Sequence, residues 1–180
     1  MSALREYLLL KRDAVAEVLK RVLLPGYAPR PLKAIVTVEG RSGIRRIRLR
    51  DHQLIVDSPP DLLGYDLGPT SPELALGALG GCLAHSWLIQ AARLGVPLDS
   101  VTVEVTGHID ARAGEPGHEA TLREPQGISY AVTVESAATT AELEVVQAAV
   151  DRLCPILNLL RNAQEIRGSL FRPGAEPYAA

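Results

Sequence analysis

Hydrophobic positions along the chain change repeatedly between the spacing of helices and that of strands. Residues 2–23 repeat apolar positions as an amphipathic helix does, with one stripe made of Val15, Val18, Leu19 and Val22. This helix is predicted to end before Pro25-Gly26. Its stripe is expected to pack on the domain or on a partner subunit.

Alternating apolar and polar side chains mark the predicted strands. Six segments show this pattern, which is typical of strands with one buried face: 31–40, 43–50, 52–57, 99–110, 127–136 and 165–172. Residues 173–180, which follow the last predicted strand, are predicted to be a frayed tail.

Two further helices have clear start signals. The first is predicted to begin with Ser71 as N-cap and Pro72 in the first helical position, and to run to about Leu94-Gly95. The sequence "TTAE" (139–142) is a capping box that opens the second, which runs through Leu153. Pro155 cannot continue that helix. Cys154 is therefore either its last residue or the cap of a new helix over 155–163, where the dipole would assist its thiol.

The order of these elements predicts an α+β fold with mostly antiparallel sheet and two buried helices. With 180 residues the chain suits one domain plus an appendage. We expect an N-terminal helical extension over 1–26, a domain over 27–172 and the tail over 173–180.

The composition and net charge of the chain limit which binding partners and which cellular compartment the sequence predicts. The net charge of −2 gives no electrostatic reason to expect nucleic acid or an acidic membrane as partner. No segment is expected to reach the roughly 20 uncharged apolar residues of a membrane span. Two cysteines without a CxxC motif or a secretory pattern predict a cytoplasmic protein without a standing disulfide, metal or cofactor.

Cys82 lies in a long apolar segment, directly after Gly80-Gly81. Gly77 and Gly81 lie on the stripe of this helix next to that of Cys82, and neither has a side chain. The sequence therefore predicts that a second helix approaches closely there. The other cysteine, Cys154, lies on the apolar face of a later helix. From spacing alone two interpretations stand, inert buried thiols or a transient redox pair.

Two segments, "GPTSPELALGALGGCLAHSW" and "AAVDRLCPILNLL", resemble the motifs of the osmotically inducible protein C and organic hydroperoxide resistance family (OsmC/Ohr). The resemblance implies an intertwined homodimer with sites at the subunit interface and no cofactor. It also implies a two-cysteine peroxidase, an oxidoreductase that reduces organic hydroperoxides to alcohols in oxidative-stress defence. Cys82 would attack the hydroperoxide, Cys154 would form a disulfide with it, and an external dithiol of lipoyl type would reduce that disulfide.

The resemblance further implies an arginine that keeps the attacking thiol ionised and a glutamate that holds the arginine. Arg41 in "EGRSG" matches the arginine, and Arg45 is the rival because of its place on a strand face. Glu73 is the nearest match for the glutamate, although it precedes Cys82 by nine residues where the family pattern has ten. Its other interpretation is a favourable charge at a helix start.

Other side chains near Cys82 have both a functional and a packing interpretation. His85 is either a proton relay or a core or interface residue. Trp87 is expected either to line an apolar approach for alkyl hydroperoxides or to fill the core, together with Leu79, Leu83 and Leu88. The alternative function for the whole chain is a non-catalytic dimer that binds a small hydrophobic ligand at its interface.

Overall fold

The computed structural model describes residues 2–172 and 178–179. Its helices are α1 (Ala3–Val22), α2 (Ser71–Leu94), α3 (Thr140–Leu153) and α4 (Pro155–Arg161). Its strands are β1 (Ile35–Val38), β2 (Arg45–Leu49), β3 (His52–Val56), β4 (Ser100–His108), β5 (Gln126–Glu135), β6 (Ser169–Leu170) and β7 (Tyr178–Ala179). The predicted α+β class is confirmed.

Every strand pair among the described residues is antiparallel. The strands form a three-stranded sheet in the order β1-β2-β3 and two hairpin-like pairs, β4-β5 and β6-β7. In β4-β5 Val103 lies opposite Val132, so the apolar sides of the two strands coincide. The predicted last strand is shorter than expected, since only Ser169–Leu170 is a strand.

The chain end differs in part from the frayed tail that the sequence predicts. Tyr178–Ala179 pairs with Ser169–Leu170 as β7 with β6. Residues 173–177 and 180 of the predicted tail lie outside the described residues.

Helix α2 is the centre of the core, and its buried face packs against α1, β4, α3 and α4. Leu83 of α2 and Val150 of α3 are fully buried, and Leu8 brings α1 into the same cluster. By length and composition α2 could cross a membrane. The expectation that no segment is long and apolar enough to span a membrane is therefore wrong for α2. The position of α2 as the central helix of this core explains its apolar composition.

Helix α2 begins at Ser71, and its N-cap lies one residue earlier than predicted. Thr70, rather than Ser71, is the N-cap, and its hydroxyl accepts the N–H of Glu73 while the Glu73 carboxylate accepts the N–H of Thr70. A serine at the first helical position before Pro72 is compatible with this arrangement. The helix ends at Gly95 in the left-handed conformation, with φ of 71°.

The glycines of α2 do not serve the helix contact that the sequence predicts. A Cβ atom at Gly80 would lie 3.2 Å from a side-chain carbon of Val105, so Gly80 lets α2 approach strand β4 closely. At Gly77 and Gly81, apart from the adjacent residues and the backbone of α2 itself, no atom of the described residues lies within 4 Å of such a Cβ. The predicted close helix contact on these two glycines is therefore wrong for the single chain, and their face is open.

The β1-β2-β3 sheet stands apart from this core. Its strands contact one another but have no extensive contact with the helices of the described chain. Apolar side chains on both of its faces are exposed, including Val36 at 55% on one face and Ile35 at 51% on the other. A three-stranded sheet needs a covered apolar face to be stable, so this sheet is open to a further partner.

Candidate functional site

The structure brings the two cysteines of the chain together. Cys82 lies midway along α2, and Cys154 lies 72 residues later, yet their sulfur atoms are 3.5 Å apart. Both thiols are free, with Cys154 fully buried and Cys82 partly buried. Two reduced thiols at contact distance can form a disulfide with little movement of the chain.

Cys154 occupies the junction of two helices: α3 ends at Leu153, and Cys154 is both its C-cap and, as one interpretation predicted, the N-cap of α4. Its N–H donates to Val150 O as the last turn of α3 closes, and its own carbonyl accepts the N–H of Asn158 in α4. Its backbone is extended, with φ −68° and ψ 117°, because Pro155 opens α4 directly after it. The Cys154 side chain is buried in the same cluster as Val146 and Val150 of α3 and Leu83 of α2.

The surroundings of Cys82 act on its pKa in opposite directions. Burial raises the pKa of Cys82 above its usual value, and the neighbouring Cys154 thiol raises it further. The backbone N–H of Ile156, at the start of α4, and the Ser86 hydroxyl lower it by hydrogen bonding to the sulfur. Burial outweighs these two donors, so the pKa of Cys82 in the single chain is raised.

Sequence reasoning missed Ile156 as a partner of Cys82. The signal was present in "CPI", because a proline in the first helical position leaves the next N–H free to donate to a group outside the helix. In the sequence Ser86, one turn after Cys82, could be recognised only as a small polar residue in an apolar stripe of the predicted helix.

Neither candidate arginine contributes to the pKa of Cys82 within the part of the chain that the structure describes. Arg45 donates to the carbonyls of Gly43 (2.7 Å) and Asp57 (2.9 Å) and to the Ser58 hydroxyl (3.1 Å). These bonds tie β2 to the segment that follows β3. Arg41 is exposed in the turn between β1 and β2, on the open sheet.

Buried Asp57 organises the connection that leads from β3 into α2, and sequence reasoning did not single it out. Its carboxylate accepts the N–H groups of Ser58 (2.8 Å), Tyr65 (3.0 Å) and Leu67 (3.2 Å). The Ser58 N–H, together with the other two donors, lowers the pKa of Asp57 below its usual value. Arg45 and Asp57 therefore fix the segment between the open sheet and the helix that carries Cys82.

Glu73 is part of the α2 capping box. Its carboxylate accepts the N–H and the hydroxyl of Thr70, each at 2.7 Å, and these bonds lower the pKa of Glu73. Glu142 has the same arrangement with Thr139 at the start of α3, with distances of 2.8 and 2.7 Å. The chain thus contains two equivalent caps, and only the first lies on the cysteine-bearing helix α2.

We expect Glu73→Ala and Glu142→Ala to lower the midpoint of thermal unfolding at pH 7 by similar amounts, because each removes one capping box. The pKa of each carboxyl is lowered in the folded state. Its contribution to stability is therefore present above the unfolded-state pKa and is lost as the pH falls through the folded-state pKa. Unfolding curves recorded at decreasing pH from pH 7 measure this, and a difference from the parent that does not shrink as the pH falls would contradict it.

His85 faces α1 rather than a reacting group. Its Nε2 atom lies 3.3 Å from the Lys11 ammonium, and burial followed by the charge of Lys11 lowers the pKa of His85. The imidazole is therefore neutral at pH 7.

Leu83 and Trp87 pack into the core, which favours the packing interpretation of these two side chains. Leu79 is buried in the same cluster and also lines a cavity of about 420 Å³ between β5 and α4, together with Tyr130, Leu157 and Arg161.

In a comparison with protein families, residues 64–168 match the family described as OsmC-like protein. Comparison with the curated proteins finds no match. The matched segment contains both cysteines and helices α2, α3 and α4, whereas α1 and the β1-β2-β3 sheet precede it.

Three solved structures illustrate the likeness in fold. An OsmC-like protein from Mycoplasma pneumoniae is 14% identical, with 74% of this chain and 89% of that chain covered and a TM-score of 0.64. An OsmC-like protein of unknown function from Vibrio cholerae is 16% identical, covering 72% and 93%, with a TM-score of 0.56. An OsmC-like hydroperoxide resistance protein from Jannaschia sp. CCS1 is 19% identical, covering 83% and 95%, with a TM-score of 0.53. Each of these structures has the fold described above.

Proposed function

This chain belongs to the OsmC-like protein family, and on that premise we propose that it is a two-cysteine peroxidase that reduces organic hydroperoxides. The observation that carries the proposal is the distance of 3.5 Å between the sulfur atoms of Cys82 and Cys154. Thiols that only fill space need not meet, and here residues far apart in sequence meet between two helices. A reducing, cytoplasmic compartment suits this chemistry, because both thiols must start reduced.

In the first step the Cys82 thiolate attacks the distal oxygen of a hydroperoxide. The O–O bond breaks, the alkoxide takes a proton and leaves as the alcohol, and Cys82 becomes a sulfenic acid. The sulfur is oxidised by two electrons and the peroxide is reduced by two. Cys82 takes the attacking role because it is the more exposed of the two thiols, and because the N–H of Ile156 and the Ser86 hydroxyl stabilise its thiolate.

In the second step the Cys154 sulfur attacks the Cys82 sulfenic acid, and a disulfide forms with release of water. The contact distance between the sulfurs makes this step fast relative to overoxidation. An external dithiol of lipoyl type then exchanges with the disulfide, restores both thiols and becomes a cyclic disulfide. No metal or other cofactor is needed for this sequence.

The cavity of about 420 Å³ is the proposed place for the alkyl group of the substrate. Leu79 lies one turn before Cys82 on α2, and Leu157 lies one turn after Cys154, so two residues of the cavity wall are one helical turn from the cysteines, which do not themselves line the cavity. An apolar wall binds an alkyl hydroperoxide better than hydrogen peroxide, because burial of each methylene contributes roughly 0.8 kcal/mol.

The functional unit is proposed to be an intertwined homodimer. The apolar faces of the β1-β2-β3 sheet and the open face at Gly77 and Gly81 each need a covering partner, and a second copy of the chain supplies both. In such a dimer Arg41 of the open sheet reaches the Cys82 thiol of the other subunit. The guanidinium would then lower the pKa of Cys82, which burial raises in the single chain.

Turnover with a dithiol tests this function. We expect cumene hydroperoxide to be consumed with dihydrolipoamide as reductant, with kcat/KM about tenfold or more above that for hydrogen peroxide, because only the former has an apolar group to bury. Equal rates for the two peroxides would contradict the role of the cavity. No consumption of either would contradict the peroxidase itself.

A non-catalytic dimer that binds a small hydrophobic ligand is the second candidate, and one observation favours it. The pKa of Cys82 is raised, and a thiol that stays protonated at pH 7 reacts slowly with peroxides. The ligand-binding function requires that the pKa of Cys82 stays raised in the dimer. Measurement of the pKa of Cys82 separates the two functions, because the peroxidase needs it below about 7.

A further inference from the structure

The break between α3 and α4 separates backbone groups that a continuous helix would pair. In such a helix the N–H of residue 155 would donate to the carbonyl of Asp151, and the N–H of Ile156 to the carbonyl of Arg152. Residue 155 is a proline and has no N–H. Among the residues that the structure describes, the Ile156 N–H makes no hydrogen bond with the Arg152 carbonyl. Two carbonyls at the end of α3 therefore need other donors.

Two side chains of α4 supply those donors. The Asn158 amide nitrogen, Nδ2, donates to the Arg152 carbonyl at 3.1 Å. The Arg161 guanidinium donates to the Asp151 carbonyl at 3.3 Å. Asn158 Nδ2 also donates to the Cys154 carbonyl at 2.9 Å. The carboxamide of Asn158 thus binds the last turn of α3 and the residue at the break together.

The Ile156 N–H is consequently available to a group outside α3 and α4, and that group is the Cys82 sulfur. Burial raises the pKa of Cys82, and this N–H acts against burial by hydrogen bonding to the sulfur. Ile156 packs against the core cluster, and Leu157 is buried in it. The first turn of α4 is therefore held by the core on one side and by Asn158 at the break.

We propose that Asn158 is a positioning residue for Cys82: by occupying the Arg152 carbonyl, its carboxamide keeps the Ile156 N–H available to the Cys82 sulfur. Without this donor the Arg152 carbonyl competes for the Ile156 N–H, because that is the pairing a helix makes. Asn158 acts through Ile156, since both hydrogen bonds of its amide nitrogen end on carbonyl oxygens. The inference rests on the proposed role of Cys82 as the attacking thiol, but its test needs no peroxide.

Alkylation by iodoacetamide measures this role in the full-length Cys154→Ser variant, where only Cys82 reacts. In that background Asn158→Leu keeps the side-chain volume and removes both donors. Its alkylation rate at pH 7 is expected to fall about tenfold, because a charge-assisted hydrogen bond to the thiolate is lost. Asn158→Gln keeps the amide donors and is expected to react within threefold of the background.

Asn162→Leu is the matched control in the same background. The Asn162 amide nitrogen donates to the Asn158 carbonyl at 2.7 Å, a bond of the same kind that lies at the end of α4 and away from the break. Asn162→Leu is expected to leave the alkylation rate unchanged within twofold. Thermal unfolding of each variant checks that it is folded.

The Ile156 amide gives a second measurement, by nuclear magnetic resonance. In the Cys154→Ser protein its proton resonance is expected to shift as Cys82 ionises, with the same midpoint as the alkylation curve. In Asn158→Leu most of this shift is expected to disappear. A role of Asn158 in stability alone would leave the response of Ile156 to Cys82 intact.

Three results would overturn the proposal. They are an alkylation rate that Asn158→Leu leaves unchanged, an equal fall in Asn162→Leu, and an Ile156 resonance that does not respond to Cys82. The last needs no substitution at residue 158, so it applies even where Asn158→Leu fails to fold. Absence of hydroperoxide turnover, with these shifts present, would contradict the proposed function and leave the role of Asn158 standing.

Discussion

Replacing Cys82 by serine is expected to reduce hydroperoxide reduction to the uncatalysed level, because a serine hydroxyl does not ionise near neutral pH and cannot accept the peroxide oxygen as sulfur does.

Replacing Cys154 is expected to have a different result. Cys154→Ser retains the attacking thiol, so the first oxidation of Cys82 proceeds, but the sulfenic acid has no partner at 3.5 Å. Turnover with a dithiol is then expected to fall more than tenfold, with overoxidation of Cys82 on repeated exposure.

The two variants are distinguished by the state of the remaining thiol after one equivalent of cumene hydroperoxide. In Cys154→Ser a sulfenic acid on Cys82 is expected to be trapped by dimedone, whereas Cys82→Ser is expected to keep a free Cys154 thiol. The thermal unfolding midpoint of each variant checks that the buried site still folds. Dimedone labelling of Cys154 in the Cys82→Ser variant, with activity retained, would reverse the assigned roles.

The second large effect is expected at Arg41. Arg41→Ala is expected to raise the pKa of Cys82 in the dimer and to lower the rate constant for cumene hydroperoxide at pH 7 by about 100-fold, because one charged donor to the reacting atoms is lost. Arg41 rather than Arg45 is the choice, because three hydrogen bonds already hold Arg45 to Gly43, Asp57 and Ser58. Arg45→Ala is expected instead to lower the free energy of unfolding.

The pH dependence of alkylation by iodoacetamide measures this effect in the Cys154→Ser background, where only Cys82 reacts. The rate follows the thiolate, so it rises with pH and levels off above the pKa of Cys82. Arg41→Ala is expected to move this curve to higher pH. Arg48→Ala, on the same sheet, is the matched control and is expected to leave the curve in place.

The pH dependence of Cys82 alkylation also distinguishes the two possible roles of Glu73. If Glu73 holds the arginine, Glu73→Ala moves the alkylation curve to higher pH and Glu142→Ala does not, although both lose a cap. An unchanged curve for Arg41→Ala, with a shifted one for Arg45→Ala, would assign the cationic role to Arg45. Unchanged curves for both would contradict an arginine-assisted thiolate.

Most of the secondary structure was predictable because its signals are local. The capping box at Thr139 and Glu142, the stop at Gly95 and the alternation of β4 and β5 each involve residues within a few positions of one another. The N-cap of α2 was predicted one residue late, since Thr70 and Ser71 are both good caps and only the bond to Glu73 decides between them. The role of Gly80 was not predictable, because the atom it approaches belongs to Val105, on a strand that follows later in the chain.

The candidate site was predictable only as far as its cysteines. Their motifs identified Cys82 and Cys154, but the balance of burial against the Ile156 and Ser86 donors depends on how α4 meets α2. The proposed cationic partner, Arg41, is not brought to the thiol within a single chain. Lys11 beside His85 was likewise unpredictable, because it depends on the packing of α1 along α2.

The most direct test of the paired thiols is to treat the reduced parent protein with one equivalent of cumene hydroperoxide and map its cysteines by peptide mass spectrometry. We predict that both thiols disappear together, that the intact mass falls by two hydrogen atoms, and that one cross-linked peptide joins Cys82 to Cys154. Two unmodified cysteines, or oxygen added to Cys82 while Cys154 stays free, would contradict the account.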